Sequence, residues 1–202
     1  VEKGYFDHFA LIQVFTETLE MRPLSNVRKK DYEVVDDAMA DHELVNREPS
    51  IYDPDIDEFQ KSIKTASFLH DWIEEKDEDY IMETYNVRPG EMKAKLDTMD
   101  WLVASMGELA RLLGMKKTQG LLKGLRIRLE YGVKEELLSL LRIKNIGRVR
   151  ARKLYNNNIK SIKDIKSASL ERLQRILGEK TAINVKEQLG QKVETKKEQR
   201  TL

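Results

Sequence analysis

Ile143-Lys144-Asn145-Ile146-Gly147-Arg148-Val149-Arg150-Ala151-Arg152-Lys153-Leu154 decides how this chain is read. The stretch predicts a helix, a glycine turn and a second helix that opens with four cations in six residues. Ile143, Ile146, Ala151 and Leu154 are spaced to close the small core of a helix–hairpin–helix. Gly147 opens the second helix, so free backbone N–H groups and the positive end of the helix dipole point outward there. Beside Arg148, Arg150, Arg152 and Lys153, that end suits a nucleic-acid phosphate. The plainer alternative is a solvated basic face on an ordinary helical turn.

Working outward, 202 residues suit one large or two small domains with a real core. A hydrophobic content of 40% with 35% charged residues describes a globular chain. No apolar run approaches ~20 residues, so no transmembrane helix is expected. No basic and apolar leader opens the sequence, and the expected location is cytoplasmic. The absence of cysteine excludes disulfides, thiolate catalysis and Cys-ligated zinc, and fits a reducing compartment. The net charge of +1 conceals an asymmetry. Residues 31–100 carry 21 Asp and Glu against 7 Lys and Arg, whereas residues 101–202 carry 24 Lys and Arg against 10 Asp and Glu. One half repels a polyanion and the other attracts it.

Apolar residues recur at helical spacing throughout, and no strand is expected. Tyr5, Phe6, Phe9, Ile12 and Phe15 share one face of a first helix. Asp31 is placed to cap a second, running through Val34, Val35, Ala38, Met39 and His42. The segment from Glu48 to Pro54 reads as a loop. A third helix carries Phe59, Ile63, Ala66, Leu69, Trp72 and Ile73, and Asp77–Tyr85 forms a short fourth. Arg88-Pro89-Gly90 separates it from a long helix over Glu91–Leu113. Gly114 and Gly120 punctuate, and Leu121–Tyr131 and Lys134–Leu141 read as further helices. A faint echo follows: Gly178, Ala182 and Val185 repeat the offsets of Gly147, Ala151 and Leu154, without the arginines. The second copy is therefore read as structural, and the residues after Gly190 as a polar tail.

The long helix is unusual. Met92, Leu96, Met99, Val103, Met106, Leu109 and Ala110 are expected to form its buried stripe. Trp101 points the opposite way at ~100° per residue, among Ala94, Asp97, Thr98, Ser105 and Glu108. An indole there faces either a base, on which it can stack, or another helix of the bundle. Trp72 lies within its own helix's apolar stripe and reads as core. No GxxxxGK[ST] phosphate loop occurs. His8, His42 and His70 stand alone without metal-ligand spacing and read as surface or packing residues. The carboxylates of residues 31–100 single out no catalytic pair.

Several segments come in a familiar order. They are Arg28-Lys29-Lys30-Asp31-Tyr32-Glu33, Lys64-Thr65-Ala66, Asp71-Trp72-Ile73-Glu74-Glu75, Pro89-Gly90-Glu91 and Asp100-Trp101-Leu102. Gly132-Val133-Lys134-Glu135-Glu136-Leu137 and Ile146 through Asn156 follow. Together they resemble the C-terminal third of the archaeal Hjm-type helicases, superfamily 2 DNA-unwinding enzymes related to the helicase part of polymerase theta. The resemblance implies an all-α fold, with a helical ratchet bundle over residues 1–140, a helix–hairpin–helix domain over 141–190 and a polar tail over 191–202. It implies a non-catalytic region of a parent ATP-dependent 3′→5′ DNA helicase acting on forked or stalled-replication DNA in repair and recombination. ATP and Mg²⁺ would be held by the parent's motor domains, which would be this region's partners together with a winged helix. Trp101 matches a base-stacking position of that family. Ala94 departs from it, because family members place a second stacking Arg there, and the flanking Lys93 and Lys95 become candidates to reach a phosphate. Arg148, Arg150 and Arg152 fall on the family's basic positions, with Lys144, Asn145, Gly147 and Lys153 beside them. Asn145 stands where many hairpins carry glycine, a position open to Asn in the left-handed region.

Other readings stay open. The same architecture serves RNA-remodelling helicases, and no residue visibly senses a 2′-hydroxyl. A stand-alone adaptor with a hairpin module would also fit. The terminal Gln199-Arg200-Thr201-Leu202 could open a sliding-clamp-binding peptide. A hairpin glycosylase with Asp164 as its acid lacks a base pocket around Ile162-Lys163-Asp164-Ile165.

Overall fold

Phe59, Ile63, Ala66, Leu69, Trp72 and Ile73 build the helix around which the first half of the chain packs. All six are buried, and fully burying a large apolar side chain contributes roughly 1.5–3 kcal/mol. The computed structural model describes residues 7–191, which form ten α-helices and four short 3-10 turns with no strand. They divide into two compact units, the first ending at Val133 and the second beginning at Lys134.

In the first unit, α1 (His8–Thr16), α2 (Tyr32–Asp41), α3 (Ile56–Ile73), α4 (Glu78–Tyr85), α5 (Pro89–Leu112) and α6 (Lys116–Tyr131) form the bundle. The central α3 packs against α1, α2, α4 and α6, and α5 and α6 form a helical hairpin. Local chemistry sets the boundaries. Asp7 accepts a hydrogen bond from the Phe9 N–H at 2.9 Å to start α1. Asp77 caps α4 through the Tyr80 N–H at 2.8 Å, and Asn86 ends that helix in the left-handed region at φ +54°. Pro89 takes the first position of α5, where its missing N–H costs nothing.

Several expectations are corrected. Asp31 precedes α2 but does not cap it through its side chain. Its carboxylate instead receives Arg28 Nη2 at 2.8 Å and Lys64 Nζ at 2.8 Å, because a buried ammonium needs a counter-charge more than a helix end needs a cap. Gly120 does not punctuate, since α6 runs from Lys116 straight through it. Lys134–Leu141 is not an α-helix but two 3-10 turns, Glu135–Leu137 and Leu140–Arg142, which pack on α7 (Arg148–Asn156) of the second unit. That packing draws residues 134–140 out of the expected bundle and into the second unit. Met106 and Leu109 are exposed rather than part of the stripe of α5. Leu109 lies roughly 100° away from Met92 around the helix, whereas nothing in the structure explains the exposure of Met106. Tyr5, Phe6, the tail over 192–202 and the suggested clamp peptide lie outside the described residues.

His42 and His70, isolated in sequence, meet in space. The Phe9 and His42 rings stack at 4.2 Å, and both sit edge-on to His70 at 5.6 and 5.2 Å. Asp7 pairs with His42. Burial, reinforced by the neighbouring His42, lowers the His70 pKa to about 4. The unfolded chain, with His near 6.5, then binds more protons than the folded one between these values. His70 therefore contributes stability above about pH 6.5 that is lost as pH falls toward 4. Chemical denaturation at pH 7 and pH 4.5 should show this loss, and His70→Phe should reduce it.

The second unit contains α7 (Arg148–Asn156), α8 (Ile162–Ser167), α9 (Leu170–Leu177) and α10 (Glu179–Gln188). Ile143, Ile146, Ala151, Leu154, Leu173, Ala182 and Val185 are buried in it. Gly178, at φ +84°, opens α10 as Gly147 opens α7, so the sequence echo corresponds to two hairpin units. Ser161 and Ser169 cap α8 and α9 through the N–H groups of Asp164 and Arg172, each at 3.2 Å. Asp164 accepts from the Lys160 N–H at 3.0 Å and the Ser161 hydroxyl at 2.9 Å, bonds that hold it ionised below the usual carboxylate range. Asp164 and Ser161 thus close the start of α8 reciprocally.

Candidate nucleic-acid interface

Each unit presents one face on which sequence-derived candidates gather. On α5 the decisive residue is Trp101. Its side chain is 56% exposed, so the alternative that another helix of the bundle covers it does not hold. Around it, Thr98 donates its hydroxyl to the Ala94 carbonyl at 3.0 Å, and Ser105 donates to the Trp101 carbonyl at 2.9 Å. Both hydroxyls are turned toward the backbone. Stacking a base on such a ring is worth ~1–3 kcal/mol.

The two α5 lysines separate. Lys93 is exposed but pairs with Asp97 one turn on, at 3.0 Å. Lys95 is a correction: it is buried and donates to the Met21 carbonyl and, at 2.6 Å, to the Pro23 carbonyl. Burial lowers its pKa, partly offset by Glu91. Its ammonium ties the turn at residues 21–23 to α5 and faces no strand. The angular position of Lys95, between the stripe and the exposed side, did not reveal that buried carbonyls would claim it.

In the second unit the expected turn forms with its second helix but not its first, because residues 143–146 are a non-helical turn after the Leu140–Arg142 3-10 turn. Asn145 adopts φ +67°, the left-handed conformation that its amide side chain tolerates. Gly147 is extended at φ −103° and supplies no side-chain cap to α7. Arg150 Nη1 donates to the Asn145 carbonyl at 2.8 Å and braces the turn while staying exposed. Lys144 and Lys153 are exposed, and Arg148 is half-buried at the helix start. Arg152 is drawn aside by Glu136 at 2.9 Å, an ion pair that overcomes burial and lowers the Glu136 pKa. Its guanidinium also lies 5.2 Å from the centre of the Tyr155 ring, with Lys160 at 5.0 Å.

Sequence reasoning missed the residues that hold this turn. Gln188 of α10 accepts from the Lys144 N–H at 2.9 Å and donates to the Lys144 carbonyl at 3.1 Å. It also donates to Asn184 at 2.6 Å, and Asn184 accepts from Asn145 at 3.3 Å. Two amides four residues apart form one rail under the loop, a pattern unremarkable without the fold. Gln188→Ala should leave helical content unchanged, accelerate amide exchange at Lys144 and weaken nucleic-acid binding severalfold; unchanged exchange would contradict this support. Val149, exposed on the first turn of α7, was missed too.

Among the described residues no group of His, Asp and Glu stands where it could hold a metal ion. Nor is any helix among the described residues long and apolar enough to cross a membrane.

Comparisons with known proteins match this division. A family model described as archaeal helicase, domain 4 matches residues 9–132. A second, described as a SAM-like helix-hairpin-helix tandem, matches residues 137–191. The chain is 44% identical to the ATP-dependent DNA helicase Hel308 of Methanocaldococcus jannaschii over 65% of its own length and 11% of that protein. Identity to the protein of the same name from Caldivirga maquilingensis is 42%, over 75% of this chain and 20% of the relative. For that of Thermococcus kodakarensis it is 38%, over 84% and 15%. The chain thus spans between 11% and 20% of these three curated relatives.

Proposed function

The chain belongs to the archaeal helicase, domain 4 family, and on that premise we propose that it is the single-strand-contacting, non-catalytic C-terminal part of an ATP-dependent 3′→5′ DNA helicase that works on forked or stalled-replication DNA. The observation that carries the reading is Trp101, 56% exposed on α5, the longest helix among the described residues. A translocating enzyme must hold any sequence, and an aromatic face stacks on every base. In the second unit, the positive end of α7 at Gly147 and the cations Lys144, Arg148, Arg150 and Lys153 are the proposed phosphate contacts, which hold a strand without reading its sequence. Arg152, paired with Glu136, contributes through the ring of Tyr155 or by exchanging partners.

ATP and Mg²⁺ enter this proposal only through the parent's motor domains, because the chain has no phosphate loop. Those domains and a winged helix are the proposed intramolecular partners. Sequence-blind contact of this kind binds weakly alone, with Kd on the order of 10⁻⁴–10⁻⁶ M.

The test is titration of the chain with labelled oligothymidylate at several salt concentrations. Binding should prefer single strands over duplex, and Arg150→Ala should lower the slope of log K against log salt by ~0.7, one single-strand phosphate contact. Tight duplex binding without single-strand preference would overturn the proposal. Competition between matched DNA and RNA strands decides between the two nucleic acids.

A further inference from the structure

Trp101 is not the last apolar group on its side of α5. Leu112 lies eleven residues on, within about 20° of the same direction and roughly 16 Å along the axis. It is 70% exposed, with Leu109 and Leu113 exposed beside it. Between Trp101 and Leu112 the surface offers only Ser105, whose hydroxyl is turned to the backbone, and Glu108, held by Arg111 at 2.8 Å. The strip between the two apolar groups is low and locally neutral.

Charge on this side is arranged unevenly. Lys93 pairs with Asp97 at 3.0 Å, and Arg126 pairs with Asp100 through two hydrogen bonds of 2.6 and 2.9 Å. With Arg111 on Glu108, three cations near Trp101 have carboxylate partners. Beyond the turn at Gly114 the pattern changes. Lys116 and Lys117 are exposed and have no ion pair among the described residues. A polyanion passing along this face therefore meets an apolar surface in the middle and unneutralised charge at the tip.

We propose that the α5–α6 tip is a second contact for the strand that stacks on Trp101, with Leu112 offering a base an apolar face and Lys116 and Lys117 receiving backbone phosphates. The inference rests on the single-strand reading of Trp101 and extends it along the helix. It also gives this chain a second step on α5 after Trp101, where Ala94 leaves the position before it without a long side chain. The occupant is a nucleic-acid strand rather than a protein because the apolar groups lie in line with an exposed indole and end in two lysines, the alternation that base faces and phosphates require.

The experiment measures oligothymidylate binding by the chain and four variants, with circular dichroism to verify folding: Leu112→Ser, Lys116→Gln with Lys117→Gln, Trp101→Ala, and Lys29→Gln with Lys30→Gln as a control pair of exposed lysines. Leu112→Ser should weaken binding by roughly threefold or more with little change in salt dependence. The Lys116 and Lys117 pair should lower the salt slope by ~1.4, two single-strand phosphate contacts, and the control pair by less than half as much. If Trp101→Ala weakens binding while both tip variants match the parent, the tip contact is wrong and the single-strand reading stands. If Trp101→Ala itself has no effect, the underlying reading fails first. An equal slope change in the control pair would overturn the contact in favour of general charge. Sedimentation showing a dimer that Leu112→Ser dissolves would assign the tip to a second copy instead.

Discussion

Gly132→Ala should destabilise the first unit by about 3 kcal/mol, the joint cost of a left-handed backbone and an overpacked core. Gly132 ends α6 at φ +62°, and its N–H bonds back to the Arg128 carbonyl at 2.8 Å. A Cβ there would stand 2.4 Å from Cε2 of Trp72, inside the ring's van der Waals surface. The indole cannot simply turn away, because its Nε1 donates to the Leu129 carbonyl at 2.7 Å and its face is buried. Next to it, Arg128 donates to the Val133 and Ile73 carbonyls at 3.1 and 3.3 Å and to Glu74 at 2.6 Å, so the whole α3–α6 junction is constrained. Urea denaturation should show the loss as a lower midpoint. A Trp72→Phe change in the same background should recover part of it, since the smaller ring leaves room for the methyl. A Gly132→Ala protein as stable as its parent would show that the Trp72 contact is not a constraint.

Asp31→Ala should cost about 3–5 kcal/mol, the range for breaking a buried ion pair from one side. It leaves Lys64, buried and bonded to the Asn26 carbonyl at 2.6 Å, without its counter-charge. The larger effect comes from the orphaned ammonium rather than from the lost attraction. Asp31→Leu with Lys64→Met should therefore be milder than Asp31→Ala alone. The pH dependence follows with a definite sign. Burial alone would raise the Asp31 carboxyl, but hydrogen bonds from Arg28 and Lys64 outweigh it and hold the group well below the usual carboxylate range. A depressed folded pKa contributes stability present above the unfolded value near 4 and lost as pH falls further. Acid unfolding of Asp31→Asn should lack that component below about pH 4, whereas a parallel acid response in both proteins would contradict the network.

Much of this architecture is legible in the residues because helical periodicity is a local signal. The faces of α1 and α3, the break between α4 and α5 at residues 88–90 and the hairpin core of Ile143, Ile146, Ala151 and Leu154 all follow from spacing within one element. The failures share a cause. Asp31, Lys95 and Gln188 each have a side chain that could serve its own element, yet each is recruited by a partner 33, 72 and 44 residues away in sequence. Gly120 is tolerated inside α6 because apolar burial at Leu122, Leu125 and Leu129 outweighs a helix penalty of about 1 kcal/mol. The angle of Trp101 placed it opposite the stripe but left a base and a second helix equally open, and only the folded bundle, in which the residue stays 56% exposed, separates them. Arg152 matched a basic pattern by position, and only its packing beside Glu136 and Tyr155 shows that its charge is already engaged.

The most direct measurement uses the chain's two indoles. Trp72 is buried and hydrogen-bonded, so a quencher arriving with the strand reaches Trp101 alone. Oligothymidylate added to the chain should quench tryptophan fluorescence in proportion to binding, and Trp101→Phe should abolish that quenching while weakening affinity. Saturable binding that leaves the fluorescence of the parent unchanged, or quenching that persists undiminished in Trp101→Phe, would show that the strand never lies on α5.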